Sequence, residues 1–153
     1  MFRMLVFTAV MVVVTTVNSP AAQDTDLIVK ESAADFATTV QRLQDEIEKR
    51  GATIVATIDH AAAAEKSGFE LRPTTVIIFG NPALGTPLML GRQTAGLDLP
   101  LRILIWEDEN GKVQLGYWPP SQIVDSHEIE NVGEVADKMA GALGAITDAA
   151  AAR

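Results

Sequence analysis

Few residues of this chain have the types and spacing that acid–base chemistry needs. Asp59 and His60 are adjacent at the end of a β-branched run, and Asp98 lies between two leucines just before Pro100. A histidine beside a carboxylate can act as a general acid or base, so Asp59, His60 and Asp98 are candidate catalytic residues. The competing interpretation is structural. Neighbouring strand residues point to opposite faces, which favours Asp59 as the N-cap of a following helix and His60 as a rim residue.

A glycine-containing segment follows one of the apolar runs. Gly80 and Gly85 have the spacing of a phosphate-binding loop, but Thr86 stands where such a loop has lysine, and Pro82 lacks a backbone donor. The pattern therefore argues against nucleotide hydrolysis. Two interpretations remain: N–H groups near Gly85 and Thr86 at a helix start hold a small anion, or the segment is a tight turn, which the sequence favours.

Five residues are candidates for binding a ligand: Arg72, Asn81, Gly85, Thr86 and Asp98. If the Asp98 carboxylate is buried, it needs a partner, and Arg72 or a backbone amide could supply one. As an alternative, Asp98 is a turn residue bonded to its own neighbours. Two histidines without a cysteine form a weak basis for a transition-metal site, so we predict no metal and no cofactor.

The composition excludes several classes of function. The 153 residues include no cysteine, which rules out disulfides, thiolate metal sites and cysteine nucleophiles. The formal net charge is −8, and an acidic surface repels phosphate backbones and anionic lipids. We therefore predict no nucleic-acid partner and, once the N-terminal segment is removed, no membrane partner.

The N-terminus has the pattern of a secretory signal. Arg3 precedes an apolar run of 14 residues, Met4 to Val17, and small residues follow. The run is shorter than the roughly 17 to 25 residues that span a bilayer. We predict that residues 1–22 are a signal peptide, cleaved after Ala21 or Ala22, and that the protein is periplasmic or secreted.

The remaining residues, 27–150, are expected to form one domain. Ser32 and Asp35 have capping-box spacing before an apolar stripe, which predicts a helix that ends near Gly51. Asn110-Gly111 predicts a type I′ hairpin between the last two strands. Strands are predicted at 27–30, 53–59, 74–79, 99–107 and 113–117, and further helices at 61–66, 83–91, 121–127 and 131–150. This order indicates an α+β fold, with an antiparallel sheet of about five strands and helices on one face.

Several short motifs, in order, resemble domain-of-unknown-function family 302. They are Asp59-His60, Leu71-Arg72-Pro73-Thr74, Phe79-Gly80-Asn81-Pro82, Gly85-Thr86-Pro87-Leu88-Met89, Leu97-Asp98-Leu99-Pro100 and Trp106-Glu107-Asp108 with Gly111. The resemblance covers about residues 27–128. It implies a β-α-β4-α fold of the TATA-binding-protein-like class, often a homodimer, with no established activity. A shared fold does not imply DNA binding.

Our leading hypothesis is an exported, dimeric domain that binds a small molecule, such as a small anion, or a protein. Its pocket would be formed by residues 59–60, 80–86 and 97–100, where the candidate polar residues converge at one end of the sheet. The first alternative is an enzyme that uses His60 as acid or base, oriented by Asp59 or Asp98. The second is a purely structural module whose loop motif makes the dimer interface.

Overall fold

The computed structural model describes residues 27–152, so the predicted signal peptide at 1–22 lies outside the described residues. Within this range no helix is both long enough and apolar enough to cross a membrane. In chain order the elements are β1 (Ile28–Glu31), α1 (Phe36–Lys49), β2 (Thr53–Asp59), α2 (His60–Lys66), β3 (Thr74–Gly80), α3 (Pro82–Gly91), a 3₁₀ helix (Gln93–Leu97), β4 (Leu101–Glu107), β5 (Val113–Tyr117), α4 (Pro120–Ser126) and α5 (Gly133–Ala151).

The five strands form one sheet in the order β1-β5-β4-β3-β2, and every neighbouring pair is antiparallel. The alternation along β3 shows how the sheet is sided, because Thr75, Ile77 and Phe79 are buried while the residues between them are only half-buried. The predicted α+β class, with a five-stranded antiparallel sheet, is confirmed.

Helices α1 and α5 pack against each other and cover the same face of the sheet. Leu43 and Ile47 of α1, and Leu143 and Ile146 of α5, are fully buried there. They meet the inward side chains of the central strands and form the sheet core. The apolar stripe predicted for α1 therefore has the expected role.

A second apolar cluster lies beyond one end of the sheet, where α3, the 3₁₀ helix, α4 and the N-terminal half of α5 meet. Helix α5 joins the two clusters, since Met139 belongs to the second and Leu143 to the first, and Leu101 packs against both. The buried members of the second cluster are Leu88, Ala95, Ile123, Ile129, Val132 and Met139.

The capping box predicted at Ser32 is wrong. The backbone N–H of Ser32 donates to the carbonyl of Val113 at 2.8 Å, which keeps this residue attached to the sheet. Asp35 caps α1 instead, and its carboxylate accepts from the Thr38 N–H at 2.8 Å and from the Thr38 hydroxyl at 2.9 Å. These hydrogen bonds from Thr38 hold the pKa of Asp35 below its usual value.

The β4–β5 hairpin is confirmed, but its turn is not type I′. Gly111 has a positive φ of 73°, whereas Asn110 does not have a positive φ. The Asp108 N–H donates to the Lys112 carbonyl at 2.8 Å, which leaves a three-residue loop with glycine in the left-handed position. The Asp108 carboxylate selects this turn, because it accepts from the backbone N–H groups of both Asn110 and Lys112.

Two element boundaries also differ from prediction. Strand β4 begins at Leu101 rather than at residue 99, since the 3₁₀ helix runs to Leu97 and Pro100 has no N–H for the ladder. Helix α5 begins at Gly133 rather than at residue 131, because Asn131 has a φ of 60°, outside the helical region.

Candidate functional site

The candidate site residues lie at two ends of the sheet rather than one. Asp59 pairs with Thr75 and Thr53 pairs with Gly80, so the two motifs are at opposite ends of the β2–β3 pair. At about 3.3 Å per residue, a seven-residue strand separates them by roughly 20 Å. The predicted convergence of residues 59–60 with the 80–86 and 97–100 segments is therefore wrong.

At the first end, the polar residues have structural partners. Asp59 caps α2, since its carboxylate accepts from the Ala62 N–H at 2.9 Å, and the capping interpretation is confirmed. The His60 side chain is exposed and makes no hydrogen bond or ion pair with any residue from 27 to 152. Arg72 lies at this end too and donates from Nε to the Glu107 carbonyl at 3.0 Å, so it is not a partner of Asp98. The enzyme hypothesis required a carboxylate beside His60, and this geometry is not present.

At the second end, Asn81 starts α3. Its side-chain oxygen accepts from the Ala83 N–H at 2.9 Å, and Pro82 occupies the first helical position, where the missing donor costs nothing. The Gly85 N–H donates to the Asn81 carbonyl at 3.0 Å, so Gly85 and Thr86 lie inside the helix. The anion contact predicted for their N–H groups at a helix start is therefore wrong, because the Gly85 N–H is already used inside a helix that begins at Pro82.

A cavity of about 490 Å³ opens beside this segment, between the end of the sheet, α3, the 3₁₀ helix and α5. Asn81, Gly85 and Thr86 line it, as predicted for a pocket wall, whereas Arg72 and Asp98 do not. Most other lining groups are apolar, among them Val55, Phe79, Leu84, Met89, Leu99, Leu101, Met139, Ala142, Leu143 and Ile146.

The cavity lies where the two cores meet. Phe79 and Leu143 of its wall belong to the sheet core, while Met139 belongs to the second cluster and Leu84 packs against that cluster. The two clusters are joined along α5 but do not fill the space between them.

Glycines thin the wall around this space. A Cβ at Gly85 would lie 3.6 Å from Leu99 Cδ1, and one at Gly96 would lie 3.5 Å from Met89 Sδ. Both distances are ordinary contacts, so a larger side chain at either position would extend toward these neighbours. Alanine would therefore fit at either position, and only a side chain larger than alanine would reduce the space beside Leu99 and Met89.

Sequence reasoning missed one polar cluster beside the cavity. Asp98 pairs with His127, with 2.7 Å between Oδ2 and Nε2, and the other ring nitrogen of His127 lies 2.9 Å from the Thr94 hydroxyl. Arg102 adds a longer contact to Asp98, at 3.8 Å. The His127 side chain is only 11% exposed. No local pattern indicated this contact, because it depends on how α4 returns beside the 3₁₀ helix.

The Thr94–His127–Asp98 cluster has a positional effect on the cavity. The 3₁₀ helix carries Thr94 at its start and Gly96 on the cavity wall, and Asp98 follows it directly. Two hydrogen bonds to one imidazole therefore fix this segment to the C-terminal end of α4. In the range 27–152, no three acidic or histidine side chains come together as a metal site.

A small antiparallel α+β domain, covered on one face by two helices and holding an apolar cavity at one end of its sheet, is the class that this architecture defines. The chain belongs to the family named Domain of unknown function DUF302, whose model matches residues 28–146. The fold is similar to a crystal structure titled uncharacterized conserved protein DUF302 from Bacillus stearothermophilus. That likeness has a TM-score of 0.75 at 17% identity, and it covers 81% of this chain and 97% of the other.

Two curated relatives are named fluoride-specific ion channels. The chain is 40% identical over 129 residues to FluC 1 of Brucella suis, which covers 84% of this chain and 51% of that protein. It is 40% identical over 129 residues to FluC 2 of Brucella melitensis, covering 84% and 48% respectively. The chain thus spans about half the length of the curated relatives that it matches.

Proposed function

We propose that this domain binds an apolar or amphipathic small molecule in the cavity between the sheet end, α3 and α5. The observation that carries the proposal is the cavity itself, about 490 Å³ with walls made largely of apolar side chains. Small-molecule sites are typically concave, apolar spaces of about 300 to 1,000 Å³ with a few polar groups that orient the ligand.

The physical drive for occupancy is burial of apolar surface. Removing apolar ligand surface from water contributes about 25 cal/mol per Å². The wall atoms also gain dispersion contacts that an unfilled space cannot provide. Leu84, Met89 and Leu99 line the cavity and are half-buried, so these side chains keep accessible surface that a ligand would cover.

A fluorescence titration with the uncharged apolar dye N-phenyl-1-naphthylamine tests the proposal. Ala142 lines the cavity and is half-buried, so Ala142→Phe places a ring in the ligand volume. Ala140, two residues earlier on α5, is exposed and does not line the cavity, which makes Ala140→Phe a matched control. We expect saturable dye binding to the wild type and to Ala140→Phe, and its loss in Ala142→Phe with unchanged circular dichroism. Equal binding by all three proteins would refute the cavity as the site.

A second candidate function comes from the relatives named fluoride channels. These proteins combine a region similar to this chain with about as much sequence that the chain does not match. We propose that the domain acts beside a fluoride channel as an accessory domain and does not itself conduct ions. The test is fluoride efflux from cells that express a fluoride channel with or without this chain, together with copurification. A changed efflux rate with copurification supports the association, and neither effect would contradict it.

We also propose that the domain forms a homodimer through the uncovered face of its sheet. A row of apolar or small residues crosses all five strands on that face: Val29, Gly116, Leu104, Val76 and Ile58. Val29 and Ile58 are 46% and 40% exposed, at the two ends of the row. A second copy of the same sheet would match this row in polarity, and stable interfaces of this kind bury about 800 Å² per partner.

A further inference from the structure

The polar groups of the cavity lie at one corner of it. Among residues 27–152, Arg50 is the charged residue that lines the cavity. Its Nε lies 3.6 Å from the Glu46 carboxylate, and Lys49 lies closer to the same carboxylate, at 2.9 Å. Two cations thus share one carboxylate, and because Lys49 is the closer of the two, Glu46 neutralises the Arg50 guanidinium only in part.

Other groups near Arg50 add to this polarity. Thr53 pairs with Gly80, which brings the end of α1 and the start of α3 to the same corner. The N-terminus of the ten-residue α3 is the positive end of its dipole, whereas the C-terminus of α1 beside Arg50 is a negative end that Lys49 and Arg50 compensate. Asn81 uses its side-chain oxygen for the cap, so its amide nitrogen is oriented as a donor without a partner among residues 27–152.

The part of the cavity wall that α5 provides has no polar group of this kind. It is formed by Met139, Leu143 and Ile146 of α5, which are at most 2% exposed. A ligand that fits both the polar corner at Arg50 and the apolar surface of α5 needs an acidic head group and an apolar body. A charge-assisted hydrogen bond from a guanidinium to an oxyanion is stronger than a neutral one, whereas a cationic head group would be repelled by the Arg50 guanidinium.

We propose that the cavity ligand is an anionic amphiphile, with a carboxylate or another acidic head group at Arg50 and an apolar tail against α5. This inference rests on the proposed binding function and specifies its ligand class. Arg50 then acts as the specificity-determining residue, and the apolar wall provides the greater part of the affinity.

Displacement of bound N-phenyl-1-naphthylamine by three ten-carbon ligands tests the inference. The ligands are decanoate, decanol and decyltrimethylammonium, which share a tail and differ in head-group charge. We expect decanoate to bind about tenfold more tightly than decanol, as one hydrogen bond to a charged group provides, and the cation to bind least well. The advantage of decanoate should shrink as salt is added, because Arg50 is half-exposed.

Variants of Arg50 test whether this side chain causes the preference for decanoate over decanol. Arg50→Gln should remove the advantage of decanoate and leave decanol binding unchanged, while Arg50→Lys should retain part of it. Arg92→Gln removes the same charge from an exposed residue outside the cavity, so it should bind all three ligands like the wild type.

The outcomes separate the ligand class from the binding function. If the dye binds but decanol equals or exceeds decanoate, the anionic class is wrong and the cavity remains a binding site. If Arg50→Gln keeps the full preference, the head group lies elsewhere and the assignment to Arg50 is overturned. If the wild type binds no dye at all, the proposed function itself fails. The ranking of ligands on the wild type decides the inference even if a variant does not fold.

Discussion

Asp108 illustrates how one side chain fixes a turn. Its carboxylate accepts from the N–H groups of Lys112 and Asn110 and from the Gln114 side chain, and the hydrogen bond from Lys112 contributes most to lowering its pKa below 3.8. A carboxyl whose pKa is lower in the folded state stabilises that state above its unfolded pKa. The stabilisation is lost as pH falls through the folded value.

We expect Asp108→Asn to lower the urea midpoint of unfolding at neutral pH. The difference from the wild type should persist down to about pH 5 and shrink as the pH falls further, through the lowered pKa of the folded wild-type carboxyl. Glu109→Gln, an exposed neighbour, should follow the wild type throughout. A difference that stays constant across this range would contradict the role of the ionised Asp108.

Two glycines should respond to the same substitution in opposite directions. A Cβ at Gly91 would lie 2.6 Å from Cγ2 of the buried Ile129, whereas a Cβ at Gly141 of α5 would meet nothing within 4 Å. We expect Gly91→Ala to reduce the free energy of unfolding by about 1 to 3 kcal/mol through overpacking. Gly141→Ala should increase it by about 0.5 to 1 kcal/mol through helix propensity. Equal effects in chemical denaturation would contradict this packing.

Whether a side-chain hydrogen bond could be predicted from the sequence depended on how far apart its two residues are along the chain. The cap by Asp59 could be read from the sequence, because its donor is three residues away. The Asp98–His127 pair could not, since its members are 29 residues apart and meet only after the second core has formed.

At the scale of elements, the 3₁₀ helix depends on the Thr94–His127–Asp98 cluster for its position. We expect His127→Ala to remove two hydrogen bonds and lower the free energy of unfolding by about 1 to 2 kcal/mol. Amide exchange at Ala95 and Asp98, whose N–H groups close the 3₁₀ turns, should become faster than in the wild type.

His60→Ala provides the matched control for this prediction. The His60 ring is exposed and has no hydrogen-bond partner among residues 27–152, so its loss should change stability by less than about 0.5 kcal/mol. Unchanged exchange at Ala95 and Asp98 in His127→Ala would show that the cluster does not hold this segment.

Element prediction succeeded where the pattern was local and periodic. The apolar stripe of α1 and the β-branched run of β2 predicted both elements, and β5 has the predicted bounds. The start of α3 and the 3₁₀ helix were not anticipated in the same detail. Their positions depend on burial of Leu88 and Ala95 in the second cluster. No periodic pattern of apolar residues in 82–97 predicts that burial.

At the scale of the whole molecule, the uncovered sheet face should be an interface between two copies. Val76 lies in the middle of its apolar row, paired with Ile58 and Leu104. We expect Val76→Lys to convert a dimer into a monomer in analytical ultracentrifugation, because a charge would be buried without a partner. Gln41→Lys, on the exposed side of α1, should leave the dimer intact. A monomeric wild type would contradict the proposed dimer.

The cavity is also a property of the whole molecule. The sequence placed Asn81, Gly85 and Thr86 on a pocket wall, yet it assigned Asp59 and His60 to the same pocket and did not include Arg50. Each segment has an ordinary apolar pattern. The space arises because two cores that share α5 leave a gap between them. No sequence pattern within a single segment predicts such a gap.

The central claim is that a ligand occupies this gap, and methyl NMR tests it most directly. With labelled methionine, leucine and isoleucine methyls, added decanoate should shift the signals of Met139, Leu143 and Ile146. The signals of Ile103 and Ile105, which are buried in the sheet core away from the cavity, should stay in place. Saturable shifts confined to the α5 methyls are the predicted result. Unchanged α5 methyls at saturating decanoate and decanol, or shifts confined to the uncovered sheet face, would contradict the account.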